Sequence, residues 1–322
     1  MDIETLNERI RAFQESRAVL TGVELDIWSA VGDGATAAEV AAKVGTNPRS
    51  TGMLLNALVA CELLSKTNGV YRATPVAKQH LTGAGRMATM HAANLWHTWS
   101  SLTDAVRAGT SVYEPQGGRG GADWTESFIA AMHRNASDRA PGVVRAIGVQ
   151  GVTTVLDIGG GSGAYSIAFA QADPAITSDI LDIEAVTHIA QRHIDEAGMR
   201  GRVRTIVGDL RTDKLGQNYD LVFLSAICHM LSEDENRDLL RRCFEACAAG
   251  GRVVIQDFIL NADKTQPKFA ALFALNMLVG TAAGNSYSEP EYSAWLRQAG
   301  FAKVRHVPLP GLTALMIGYR AE

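Results

Sequence analysis

The stretch Val155-Leu156-Asp157-Ile158-Gly159-Gly160-Gly161-Ser162-Gly163-Ala164 decides how this chain folds. It reads as a buried strand, a glycine turn and the opening of a helix, which is the layout of a nucleotide-cofactor cradle. Gly159, Gly161 and Gly163 let the backbone turn sharply and approach a ligand closely. Asp157, two positions before the first glycine, is placed to receive a cationic or hydroxyl-bearing group.

Downstream of this motif, strand-like and helical patterns alternate. The strand-like segments are Thr154 to Ile158, Ser178 to Asp182, Val203 to Val207, Leu221 to Leu224 and Val253 to Asp257. Such alternation predicts a parallel α/β sheet. Lys303 to Pro308 and Thr313 to Tyr319 read as two strands around a Pro-Gly turn, so the sheet is expected to end in an antiparallel edge. A glycine turn alone also suits a dinucleotide, and the acids at successive strand ends discriminate. Asp182 ends the second strand, 25 positions after Asp157, where a carboxylate accepts ribose hydroxyls. Gly208-Asp209-Leu210 follows the third strand. Three carboxylates at one sheet edge suit a cationic, phosphate-free cofactor.

Upstream, Thr36-Ala37-Ala38-Glu39 is a capping box, and Asn47-Pro48 is an N-cap followed by proline at the first helical position. Met53, Leu54, Leu58 and Leu63-Leu64 follow at helical spacing, and Lys66 to Thr74 reads as a hairpin. Helix, turn, helix and hairpin form a winged-helix pattern. Its second helix carries only Arg49 as a base, whereas phosphate contacts need several Lys or Arg on one face, so a protein–protein role is expected in place of DNA binding. Residues 86–148 read as a helical connector that contributes to an acceptor pocket, interrupted by the glycine cluster Glu114 to Gly121, which reads as a loop serving as a lid or a linker. The predicted division is therefore 1–85, 86–148 and 149–322.

The chain has 322 residues, 47% hydrophobic and 20% charged, with a net charge of −4 and a pI near 6.1. That composition supports a large core and argues against an extended nucleic-acid footprint. The acidic start lacks a secretory signal, and the apolar stretch Phe269 to Gly284 is too short to span a bilayer, so it is expected to be a buried helix in a cytoplasmic protein. Cys61, Cys228, Cys243 and Cys247 are too scattered for a disulfide framework or a zinc site and read as small buried residues.

These motifs make the chain resemble the S-adenosylmethionine (SAM)-dependent O-methyltransferases of the caffeate, acetylserotonin and bacterial antibiotic-tailoring type, over nearly its full length. The resemblance is carried by Val155 to Gly163, Leu181-Asp182-Ile183-Glu184-Ala185-Val186, Gly208-Asp209-Leu210 and Ile227-Cys228-His229 with Leu231-Ser232-Glu233-Asp234-Glu235. Further matches are Ala249 to Ile255, Leu275-Asn276-Met277-Leu278 and Ala299-Gly300-Phe301. It implies a Rossmann-like class I methyltransferase sheet preceded by a mostly helical winged-helix domain that serves homodimerisation. It also implies SAM as cofactor and S-adenosylhomocysteine as product, held by Asp157, Gly159, Gly161, Gly163, Asp182, Ile183, Gly208, Asp209, Leu210 and Ser225. The acceptor, a small aromatic hydroxyl compound, is expected against Trp99, Phe128, Met132, His133, Asn276 and Met277.

Methyl transfer from a sulfonium is an in-line displacement with a neutral leaving group, so the protein must align the partners and make the acceptor electron-rich. His229 occupies the position of the family's catalytic base, and Asp257 matches the carboxylate that holds this base in its productive tautomer. Three positions depart from the family pattern: Met230 follows the histidine where an acid is usual, Ser225 replaces a lysine, and Ser286 replaces a second supporting glutamate. Met230 removes a His-Asp pair from which a metal site could be built, so metal-independent chemistry is expected. The departures leave two alternatives beside O-methylation: C- or N-methylation, and a SAM-binding homologue that does not methylate, of the hydroxylase or decarboxylase type.

Overall fold

A computed structural model describes residues 1–113 and 122–322, without the side chains of 84, 88, 122–128, 130, 131, 134 and 135. The predicted loop Glu114 to Gly121 lies outside the described residues. The chain forms two compact units, Met1–His97 and Thr98–Glu322.

In the first unit, Asp2 caps helix α1 (Ile3–Glu24) by accepting the Thr5 N–H at 2.8 Å. Helix α2 (Ile27–Val31) and the short strand β1 (Ala35–Thr36) lead into α3 (Ala37–Val44), whose capping box joins Thr36 and Glu39 as predicted. Asn47 caps α4 (Pro48–Ala60), and β2 (Leu64–Thr67) and β3 (Val70–Ala73) make the hairpin. The strands pair antiparallel in the order β1-β3-β2, so the wing has a third strand that the sequence pattern did not announce. Val23, Ile27, Trp28, Leu55, Leu58 and Tyr71 fill the space between helices and sheet. Two helices follow, α5 (Pro75–His80) and α6 (Gly83–Trp99), the second running across the boundary between the units.

The second unit begins with α7 (Leu102–Ala108) and α8 (Ala122–Ile147). Then come β4 (Thr154–Ile158), α9 (Ala164–Ala172), β5 (Thr177–Asp182), α10 (Glu184–Glu196), β6 (Val203–Val207) and β7 (Tyr219–Ser225). After a 3₁₀ turn at Cys228–Met230, the order is α11 (Glu233–Ala246), β8 (Cys247–Asp257), α12 (Lys268–Gly280), α13 (Glu289–Ala299), β9 (Lys303–Pro308) and β10 (Ala314–Tyr319). The seven strands are ordered β6-β5-β4-β7-β8-β10-β9, parallel from β6 to β8. Strand β10 runs antiparallel between β8 and β9. The antiparallel edge is therefore a pair, with the later strand inserted inside the earlier one. The strand sequence reverses direction beside β4, and ligands of such sheets bind at the carboxyl ends of the strands at that point.

Both faces of β4 and β7 are covered, and Leu156, Ile158, Val222 and Leu224 pack on one side while Val155, Leu221 and Phe223 pack on the other. That is why these strands read as continuous apolar runs. The apolar stretch from Phe269 departs from its expectation. Helix α12 ends at Gly280 and buries only one side, with Phe269 39% and Leu272 45% exposed. Among the described residues no helix is long and apolar enough to cross a membrane.

Candidate active site

The glycine turn after β4 is dictated by backbone geometry. Gly159, Gly161 and Gly163 have φ of 65°, 58° and 79°, where L side chains are strained. A Cβ on Gly159 would lie 2.3 Å from Ile227 Cδ1, and one on Gly163 2.8 Å from Ile180 Cδ1. Gly161 differs, since its Cβ would meet nothing within 4 Å and its open side faces away from protein atoms. Gly160, which the sequence reading passed over, is required for another reason: its Cβ would lie 2.7 Å from the Asp157 carboxylate beneath it.

Asp157, expected to receive a ligand group, lies beneath the glycine turn. It is fully buried under the turn and accepts the Ser166 hydroxyl at 2.8 Å, Ser166 in turn accepting from Ser178 at 2.9 Å. Burial pushes its carboxyl up to about 7, opposed by the Ser166 hydrogen bond and reinforced by the charge of Asp182. Its Oδ1 has no partner among the described residues. Asp182 closes the turn from the neighbouring strand. Its Oδ2 accepts the Gly161 N–H at 2.9 Å and its Oδ1 accepts the Ile183 N–H at 2.8 Å. Burial raises its proton affinity, while these two N–H donors hold it down.

The remaining cofactor candidates gather at the same edge. Ile183 stands 54% exposed at the start of α10. Gly208 donates its N–H to the Asp182 carbonyl at 3.0 Å, and a Cβ there would press on Leu181 at 2.9 Å. Asp209 is exposed and accepts the Arg211 N–H, while the Leu210 carbonyl accepts from Arg242. Ser225, at the end of β7, donates to Gln256 Oε1 at 3.2 Å. An open glycine and carboxylates on adjacent strand ends fit a positively charged, phosphate-free ligand, and the two arginines near this edge are engaged, Arg211 with Glu235 and Arg242 with Asp238.

His229 sits in the 3₁₀ turn after β7 and is 6% exposed. Ser232 and Glu235 form the capping box that starts α11 just beyond it, and Asn236 Nδ2 donates to the Cys228, Leu231 and Ser232 carbonyls, pinning the turn. Asp257, at the end of β8, lies 2.7 Å from His229 Nδ1 through Oδ1 and accepts the His229 backbone N–H through Oδ2 at 3.1 Å. An ionised Asp257 only accepts, so Nδ1 carries a proton, and in the neutral imidazole that leaves the lone pair on Nε2. Phe273 meets the imidazole edge-on at 4.9 Å, and Phe258 packs 4.4 Å from Phe273. The two phenylalanines were not among the predicted site residues, because isolated aromatics in an apolar helix and a strand end carry no spacing signal.

The expected acceptor wall is brought together in part. Trp99 Nε1 donates to Asn276 Oδ1 at 2.9 Å, joining the end of α6 to α12. Met277 is buried and Met132 half-buried. The Phe128 side chain lies outside the described residues. His133 faces the glycine turn, its Nδ1 2.9 Å from Ser162 Oγ, and stacks on His193 at 3.7 Å because α8 packs on α9 and α10. Burial, and then the neighbouring His193, lower its proton affinity. Met230 is 39% exposed, and Ser286 is buried with its hydroxyl unpartnered among the described residues. Burial pushes the Cys247 thiol up to about 12 and those of Cys228 and Cys243 well above the usual range, so the three buried cysteines stay protonated.

Two family models match the chain, an O-methyltransferase dimerisation domain over residues 8–83 and an O-methyltransferase domain over residues 99–302. A 3-hydroxy-5-methyl-1-naphthoate 3-O-methyltransferase of Streptomyces sahachiroi is 32% identical over 324 residues, covering 95% of this chain and 92% of the relative. The tetracenomycin polyketide synthesis 8-O-methyl transferase TcmO of Streptomyces glaucescens is 28% identical over 318 residues, covering 95% and 94%. Among solved structures, that of PigF with SAH, a SAM-dependent methyl transferase known from a Serratia strain, superposes with a TM-score of 0.89 at 27% identity, covering 99% of this chain and 100% of that one.

Proposed function

Because the chain belongs to the O-methyltransferase family, whose members use SAM, we propose that it methylates the hydroxyl of a small aromatic acceptor, with His229 as general base. The observation that carries this reading is the His229–Asp257 pair, 2.7 Å apart at Nδ1, with Phe273 and Phe258 beside the imidazole. A phenol, with a reference pKa of about 10, is a poor nucleophile until its proton leaves. Asp257 fixes the Nδ1–H, so Nε2 takes the hydroxyl proton, and the carboxylate stabilises the imidazolium formed. The phenylalanines favour a flat apolar acceptor and exclude water from the proton-transfer path.

SAM, when bound, supplies a methyl group on a sulfonium whose departure leaves a neutral thioether. Asp182 and Asp209 would take its polar adenosine groups, Ile183 and Leu210 would flank its base, and the turn from Gly159 to Gly163 would lie against it. Asp157 would act through the turn it supports. Residues 8–83, the matched dimerisation domain, would pair two copies of the chain. The Streptomyces sahachiroi relative is named for O-methylation of a hydroxynaphthoate and TcmO for 8-O-methylation in tetracenomycin polyketide synthesis, and the naphthoate supports the aromatic acceptor.

The test is methylation of a hydroxynaphthoate and phenol panel with labelled SAM, comparing the wild type with His229→Ala. A loss of about 10²–10⁴ in kcat with unchanged S-adenosylhomocysteine affinity is expected. Undiminished methylation of an acceptor by the variant would remove His229 from the mechanism.

A further inference from the structure

We propose that Tyr292 is a positioning residue for the His229–Asp257 pair, its phenol sharing the Asp257 carboxylate and so setting how strongly that carboxylate takes the His229 Nδ1–H. The inference rests on the reading of His229 as base, but its observable is the state of the imidazole and not methylation.

Tyr292 lies in the first turn of α13 and is 1% exposed. A phenol this deeply buried needs a hydrogen-bond partner. It has one in Asp257 Oδ2, to which it donates at 3.2 Å. The carboxylate is thereby filled on both oxygens. Oδ1 takes the His229 ring and the Phe258 N–H, at 2.7 and 2.8 Å, and Oδ2 takes the His229 N–H and the Tyr292 hydroxyl. Two of these donors belong to His229 itself and one to the chain next to Asp257. Among the described residues Tyr292 is the donor that belongs neither to His229 nor to the chain next to Asp257, so it adds an independent restraint on how the group can rotate about its last torsion.

The helix that carries it is itself braced. Tyr292 meets Trp295 at 5.4 Å and Tyr287 at 6.0 Å, and the Tyr287 hydroxyl donates to the Leu231 carbonyl, two residues beyond His229. Around this carboxylate the titratable groups are His229, Tyr292 and the Cys228 thiol, which faces Tyr292 and Asp257. The thiol is neutral, and burial beside Asp257 holds the phenol neutral too. The phenol can therefore only donate to the carboxylate, withdrawing part of its charge from Oδ2.

That competition gives the proposal a signature which mere packing would not. Removing the phenol hydroxyl leaves more charge for the Nδ1–H···Oδ1 bond, and strengthening the donor leaves less. The experiment is proton and nitrogen-15 NMR of the histidine-labelled full chain, with the His229 Nδ1–H signal assigned by its loss in His229→Ala. Tyr292→Phe should move that signal downfield. A 3-fluorotyrosine placed at Tyr292, a stronger donor of nearly the same shape, should move it upfield, and this second protein keeps the test open if the first folds poorly. Opposite displacements establish the coupling. A signal that stays put in the fluorotyrosine protein, or moves the same way in both, overturns it. If His229→Ala still methylates while the displacements are opposite, the base assignment fails and the role of Tyr292 in holding the pair stands.

Discussion

The Asp182 carboxylate bridges two backbone N–H groups, those of Gly161 and Ile183, at 2.9 and 2.8 Å. One acid thus ties the glycine turn after β4 to the start of α10, and the orientation of the turn depends on a residue of the neighbouring strand.

Asp182→Asn tests this tie. An amide has one carbonyl oxygen for two donors, so one N–H must face an NH₂ group. Hydrogen bonds to charged groups contribute about 1.5–3 kcal/mol, so S-adenosylhomocysteine affinity is expected to fall roughly 10- to 100-fold. Calorimetric titration measures it, and circular dichroism checks that the fold persists.

Asp157 makes stability depend on pH. Its carboxyl is raised to about 7 in the folded protein from an ordinary 3.8, so between these values the folded state holds a proton that the unfolded state has lost. Stability must therefore fall as pH rises through that window, by at most about 4 kcal/mol, and stay level above it. Asp157→Asn keeps an acceptor for Ser166 and removes the ionisation. Denaturant unfolding at pH 5 and pH 8 should show the variant gaining on the wild type at the higher pH; an equal difference at both would contradict the assignment.

Gly159 and Gly161 share a left-handed backbone but not the space around it. Gly161→Ala should cost roughly 1 kcal/mol from backbone strain alone. Gly159→Ala adds a collision with buried Ile227, at an overpacking cost of about 1–3 kcal/mol more. Thermal unfolding of the two variants should rank them in that order.

Asp257→Asn addresses the tautomer. The amide cannot accept from the His229 ring, the His229 N–H, Phe258 and Tyr292 together, so it turns an NH₂ group towards one of them. A fall in kcat of about 10²–10⁴ is expected, by analogy with other carboxylate–imidazole pairs, with cofactor affinity little changed. Steady-state kinetics beside a binding titration separates the two effects.

The parallel strands were legible because strands buried on both faces must be apolar throughout, and the cofactor turn because a left-handed backbone demands glycine at fixed spacing. His229 and Asp257 were legible only through the family resemblance, since a single histidine after a strand has no periodicity. Helix α1, 22 residues long, was not recognised, because Ile3, Ile10 and Phe13 are exposed within its unit and give the helix no clear apolar face. His133, expected at the acceptor wall, lies on α8 beside Ser162, a contact that the sequence does not show. Gly160, Ser166, Asn236 and Tyr292 escaped notice for a common reason. Each looks ordinary in sequence and is fixed by a partner that folding brings close.

Sequence alone determined the alternation of strands and helices from β4 to β8, the glycine turn and the row of acids, because these follow from local backbone sterics and from the periodicity of burial. The tertiary structure decided what each acid does. Asp157 went under the turn, Asp182 across it, and Asp257 onto His229, because a carboxylate withdrawn from water takes whichever donors surround it, and those donors come from strands and helices distant in the chain.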